Sequence, residues 1–114
     1  MSVLSYRDVW PEIAGDVFIA PGAYVIGDVV IGSRSSIWFN TVVRGDVNHI
    51  RIGSNTCVQD NSTLHVTPPN FPLLIGDRVV IGHKVLVHGS IIEDDCMIGM
   101  GAILLDGCKI GRGS

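Results

Sequence analysis

From Ile13 onward an aliphatic side chain recurs at every sixth residue: Ile13, Ile19, Val25, Ile31, Ile37 and Val43. The series breaks, resumes at Ile52, Val58 and Leu64, resumes again at Ile75, Ile81 and Val87, and ends with Ile92, Ile98, Leu104 and Ile110. Four positions beyond the aliphatic stands a small or modest residue, among them Ala23, Ser35, Thr41, Thr56, Ser62, Val79, Cys96, Ala102 and Cys108. Glycine often follows the aliphatic directly, as at Gly32, Gly53, Gly76, Gly82, Gly99 and Gly111. A period of six fits neither the 3.6-residue turn of an α-helix nor the 3.5-residue coiled-coil repeat. It suits a short strand followed by a tight corner, with the aliphatic inward and the small residue at the bend. Three such units close a triangular coil, and residues eighteen apart then stack at the spacing of about 4.8 Å found in any sheet. One coil cannot bury its own apolar face, so stability comes from stacking its neighbours. The pattern predicts an all-β fold, a parallel β-helix with three short strands per coil.

Assigning the units to faces gives three inward columns. The first holds Ile13, Ile31, Ile52, Ile75, Ile92 and Ile110; the second Ile19, Ile37, Val58, Ile81 and Ile98; the third Val25, Val43, Leu64, Val87 and Leu104. The interruptions fall at Val47–Arg51 and Val66–Leu74, both at the corner leaving the third face. Insertions gathered at one corner predict loops on one side of the prism, often the functional side. The step from Val87 to Ile92 is one residue short, a tightening at that same corner. Residues Ile110–Ser114 open a further coil without a capping element. An open β-edge invites association, so the expectation is a C-terminally truncated solenoid or a neighbour covering that end.

At 114 residues, 46% apolar and 17% charged, the chain is expected to be one domain, residues 1–114, with a packed core. The net charge of −3, with no run of Lys or Arg, argues against nucleic acid or an anionic membrane as partner. No apolar stretch is long enough for a membrane-spanning helix, and the first residues lack a signal-peptide pattern. Cys57, Cys96 and Cys108 show no metal-binding spacing, and two of them occupy corner positions of the repeat, which predicts core filling in a reducing cytoplasm. Asn61-Ser62-Thr63 matches a glycosylation sequon, but Ser62 lies in core register.

Three of the four histidines sit near one corner. His65 follows Leu64 and His88 follows Val87, so both point outward from the third face on adjacent coils, one above the other. Imidazoles rooted about 4.8 Å apart can converge on one metal with bonds of about 2.0–2.1 Å. His83 ends the second face, and side chains leaving two faces of a convex corner diverge. It therefore suits the metal of a neighbouring copy, and three such interfaces about a threefold axis make a closed trimer with shared sites. A solitary outward histidine is ordinarily a solvated surface residue; that reading stays for His49, which has no partner in register. Arg44 occupies the same outward column as His65 and His88, with Asp46 two residues on, while Gln59 and Asp60 follow Val58 on the second face. An Arg44–Asp46 pair can tie subunits together or be an ordinary surface ion pair, and a Gln59 amide can orient a water or substrate.

The segments Arg44-Gly45-Asp46, Val58-Gln59-Asp60-Asn61-Ser62-Thr63-Leu64-His65 and Ile81-Gly82-His83-Lys84-Val85-Leu86-Val87-His88-Gly89 resemble the motifs of the gamma-class carbonic anhydrases. Ile98-Gly99-Met100-Gly101-Ala102 is a further similar segment, and the resemblance runs from about Ile13 to Ser114. Generic hexapeptide acyltransferases share the repeat but not this spacing of histidines. The resemblance implies a left-handed helical hand, a homotrimer with sites shared between subunits, and zinc (alternatively iron or cobalt) held by His65, His83 and His88. It further implies an inter-subunit role for Arg44 and Asp46, a hydrogen bond from Gln59 to the metal-bound water, and Asp60 as its neighbour. The implied reaction is reversible hydration of carbon dioxide to bicarbonate by metal-bound hydroxide, with an open fourth metal position for the water. Two features depart from the fast members of the family: Val47 stands where an acidic residue follows the Arg-x-Asp segment, and the loop from Val66 to Leu74 has no carboxylate. The C-terminal helix typical of the family is likewise expected to be missing from this chain. Slow, buffer-dependent or absent hydration is the expectation, with an acyl-transferase or thioesterase activity and a non-catalytic metal-binding trimer as alternatives.

Overall fold

The six-residue register is realised rung by rung in the computed structural model, which describes residues 2–114. On the first face Ile13 pairs with Ile31, Ile31 with Ile52, Ile52 with Ile75, Ile75 with Ile92 and Ile92 with Ile110. The second face stacks Ile19, Ile37, Val58, Ile81 and Ile98, and the third stacks Val25, Val43, Leu64, Val87 and Leu104. All pairings between strands are parallel, and no helix occurs among the described residues. The chain is a left-handed parallel β-helix. Its inward columns form one continuous core, buried along the middle coils and half-buried at Ile13, Ile19 and Ile110, where a terminal coil has a neighbour on one side only.

The corners are built from two consecutive positions. Three residues beyond the aliphatic the backbone is left-handed: Arg34, Asn55, Arg78 and Asp95 at one corner, Asn40, Asn61 and Lys84 at the next, with φ between 54° and 61°. Asparagine tolerates this conformation, whereas Arg and Lys hold it at some cost. The following small residue fills the bend, and where it is Ser or Thr its hydroxyl bridges to the next coil. Ser35 donates to the Gly53 carbonyl at 2.7 Å, Thr41 to Gln59 at 2.7 Å, Thr56 to Gly76 at 2.8 Å and Ser62 to Gly82 at 3.0 Å. Each bridge satisfies a buried hydroxyl that would otherwise cost about 1–3 kcal/mol. Cys96 is buried and Cys108 half-buried at the same corner position, and all three cysteines are free thiols.

Two features depart from the sequence expectation. The interruption at Val47–Arg51 is not a loop: one strand runs unbroken from Val42 to Ile52. It pairs with Tyr24–Ile31, and the register shifts between Gly27 and Val29 to take up the extra residues as a bulge. Because both strands turn the corner without breaking, the first and third faces form a single ten-stranded sheet, and the second face is a separate five-stranded sheet. The N-terminal segment adds a rung outside the six-residue series, Val3 against Val25 and Leu4 against Ile26. The one-residue deficit after Val87 is absorbed by Gly89, at φ 51°, and by buried Ser90, whose hydroxyl donates to the His88 carbonyl at 2.8 Å.

The bulge depends on Gly27. Its φ is +79°, and a methyl group there would run into the carbonyl oxygen of Gly45 on the next coil. Gly27→Ala is expected to lower stability by at least about 1–3 kcal/mol, through left-handed strain alone. Denaturant unfolding beside wild type checks this; an unchanged midpoint would show that the backbone relaxes there freely.

Candidate metal centre

His65 closes the Thr63–His65 strand and His88 closes Leu86–His88, and the two residues are paired across adjacent coils. Their backbones are therefore held in register by the buried Leu64–Val87 rung beside them. The rings meet nearly at right angles, at 81°, and His65 Nδ1 lies 3.2 Å from His88 Nε2. The side chains are 18% and 26% exposed, low enough to be fixed and high enough to be reached from solvent.

Each ring is tethered from behind by a carboxylate. His65 Nε2 lies 2.8 Å from Asp46 Oδ1, and His88 Nδ1 lies 2.7 Å from Asp106 Oδ1. Asp46 also takes the Arg44 guanidinium and the Val47 amide, the latter at 2.7 Å. Burial works against ionisation of Asp46, but the hydrogen bonds from His65, Val47 and Arg44 outweigh it and hold its pKa below the ordinary value. The pKa of Asp106 is lowered chiefly by its hydrogen bond with His88. The corner is buttressed further by Asn48, whose amide donates to the carbonyls of Thr67 and Pro69, both at 3.2 Å. Asp46, His65, His88 and Asp106 thus form a ladder along the helix axis.

Proton counting shows what the ladder lacks. Its three ring-nitrogen contacts each need one hydrogen, whereas two neutral imidazoles carry only two. Once both N–H groups are given to the ionised carboxylates, two lone pairs face each other across 3.2 Å. A proton or a metal cation between them resolves the conflict. Two nitrogens bound to one tetrahedral zinc at about 2.0–2.1 Å stand about 3.3–3.4 Å apart, so the observed separation fits a pair of zinc ligands.

His83 stands apart. It lies at the corner beyond Val80–Ile81, half-exposed at 51%, with Nδ1 3.7 Å from Asp60 Oδ1. Among the described residues no three His, Cys, Asp or Glu side chains of the single chain gather to hold a metal. Gln59 is also on the second face, where its amide donates to Cys57 Sγ at 3.1 Å. Of the residues singled out in the sequence, Arg44, Asp46, His65 and His88 are brought together; Asp60 approaches His83, and the Gln59 amide is held by Cys57 instead. Asp106 was not among them. By register Leu105, not Asp106, continues the column of His65 and His88, so six-residue counting passes over it. His49 lines an open groove of about 480 Å³ beside Asp46, with Tyr6, Arg7, Asp28 and Asn48.

The family pattern described as "Bacterial transferase hexapeptide (six repeats)" matches residues 11–45. That described as "Hexapeptide repeat of succinyl-transferase" matches residues 72–106 and 89–114. Gamma carbonic anhydrase 2, mitochondrial, of Arabidopsis thaliana is 50% identical over 106 residues, which cover 89% of this chain and 38% of that protein. A carbonic anhydrase of Geobacillus kaustophilus is 48% identical over 100 residues, 88% of this chain and 54% of that protein. The chain thus spans about half the length, or less, of these curated relatives. The crystal structure of the BC4754 gene product of Bacillus cereus superposes with a TM-score of 0.89 at 41% identity, covering 98% of this chain and 72% of that one.

Proposed function

Since the chain belongs to the gamma-class carbonic anhydrase family of hexapeptide-repeat proteins, we propose that it is a metal-dependent carbonic anhydrase that hydrates carbon dioxide reversibly to bicarbonate. The observation that carries this reading is the facing pair His65 Nδ1 and His88 Nε2 at 3.2 Å, each ring tethered by a carboxylate on its other nitrogen. His65 and His88 hold the ion, and His83 of a neighbouring copy completes the ligand set in a homotrimer. Zinc suits three neutral imidazoles with one position left open. When bound, the metal would supply the Lewis acidity that lowers the pKa of a water to about 7.

The chain's own residues do the rest. Asp46 and Asp106 keep hydrogens on the rear nitrogens of the two rings, so the front nitrogens stay free to bind. Arg44 neutralises Asp46. Asp60 stands beside His83, and the proposed assembly brings it and the Gln59 amide to the site, the amide to orient a bound oxygen. The trimer is supported by apolar side chains left exposed on the faces to be joined: Phe18, Val80 and Met97 on the second, Ile103 and Leu105 on the third. Proton export is the weak step. Val47 is exposed and apolar, and residues 66–74 carry no carboxylate, so buffer takes the proton.

The expected result is near one metal per chain by elemental analysis, with stopped-flow carbon dioxide hydration that rises with buffer concentration and disappears on chelation. Metal without hydration would move the reading to a binding role or to acyl-thioester chemistry. A chain that takes up no metal would overturn it.

A further inference from the structure

The geometry points to Asp106 as a positioning residue that sets the tautomer and orientation of His88. This inference rests on the reading of His88 as a metal ligand. An imidazole ligand has to present an unprotonated nitrogen, and a free ring can place its hydrogen on either one. The Asp106 carboxylate, 2.7 Å from Nδ1, accepts a hydrogen there and leaves Nε2 as the bare nitrogen turned towards His65. Asp46 does the same for His65 from the opposite end of the ladder.

Two observations make this a built contact rather than a chance surface pair. Asp106 comes from the next coil, which the Gly107 amide fastens to the Gly89 carbonyl at 2.9 Å. In addition, Gly89 and Gly107 both have positive φ, at 51° and 79°, and a side chain added at Gly89 would collide with the Asp106 carboxylate. The corner glycines keep open the path along which Asp106 reaches His88.

The test uses the full chain with Asp106→Ala and Asp106→Asn, the latter keeping an acceptor oxygen without the charge. Asp95→Ala is the control, since it removes an exposed carboxylate paired with Arg78 on a different corner. Long-range 1H–15N NMR on metal-free protein, at mildly alkaline pH, reads the His88 tautomer directly. We expect Nδ1–H in wild type, a shift towards a mixture in Asp106→Ala, and retention in Asp106→Asn and the control. Zinc competition against a chromophoric chelator should then show about a 10–100-fold loss of affinity in Asp106→Ala and a smaller loss in Asp106→Asn. An unchanged tautomer and unchanged zinc affinity in Asp106→Ala would overturn the inference. Zinc binding that survives His88→Ala at full strength would instead overturn the ligand reading, and the tautomer data would still decide whether Asp106 sets the ring.

Discussion

Replacing His83 with alanine is expected to remove nearly all metal from the protein while leaving the fold intact. The fold should survive because His83 is half-exposed and its side chain only approaches Asp60, at 3.7 Å, rather than packing into the core, and surface substitutions of this kind usually stay within about 0.5 kcal/mol. The metal should be lost because two imidazoles cannot substitute for three. The expected weakening is about 100-fold or more, above the 10–100-fold that losing an outer-sphere partner costs. The informative step is mixing. A His83→Ala chain keeps His65 and His88, and a His65→Ala chain keeps His83, so a mixed trimer contains some whole sites. Elemental analysis after unfolding and refolding the two variants together should recover metal that neither takes up alone. No recovery in a verified mixed oligomer would refute the shared site.

The second large effect concerns stability. Leu64 is fully buried, packed between Val43 below and Val87 above, and Leu64→Ala should cost about 2–5 kcal/mol through lost burial and the cavity left behind. Against a total of about 5–15 kcal/mol, that is a large share. The next residue is His65, so relaxation around the cavity should also move the ring and weaken metal binding. Denaturation of the metal-free protein measures the first effect, and zinc competition the second. Thr63→Ala, one residue away but exposed, is the reference and should change stability by no more than about 0.5 kcal/mol. Equal losses in the two variants would mean that the column does not carry the core.

The inward columns were fully legible in the sequence because a period-six signal repeats along the chain and each rung reports on the next. The stacking of His65 on His88 followed from the same arithmetic, one residue past the Leu64–Val87 rung. Arg44 and Asp46 were legible as companions of that corner. Register arithmetic fails where the chain leaves the period. The bulge at Asp46–His49 lies between paired stretches of one continuous strand, so an interruption in the pattern became extended backbone rather than a loop. The Val3–Leu4 rung pairs outside the series and has no periodic signature. Asp106 went unnoticed because the shortened turn at Gly89–Ser90 brings it, out of column, to the back of His88. Such contacts depend on how a corner is cut, which hydrophobic spacing does not encode. The proposed third ligand, His83, was legible only from corner geometry and motif, since among the described residues no three such side chains gather.

The ladder also constrains the order in which the molecule can come into being. Its contacts join residues 19, 23 and 18 positions apart, each about one turn of the solenoid. None can close until another coil has been laid on the growing stack, because a solenoid propagates through nearest neighbours. Growth from the N-terminal end would close Asp46 on His65 first, bring in His88 next, and lock the ring with Asp106 only when the coil above has folded. A nascent chain halted one turn early would be folded as far as it went, yet its second imidazole would still be free to spin.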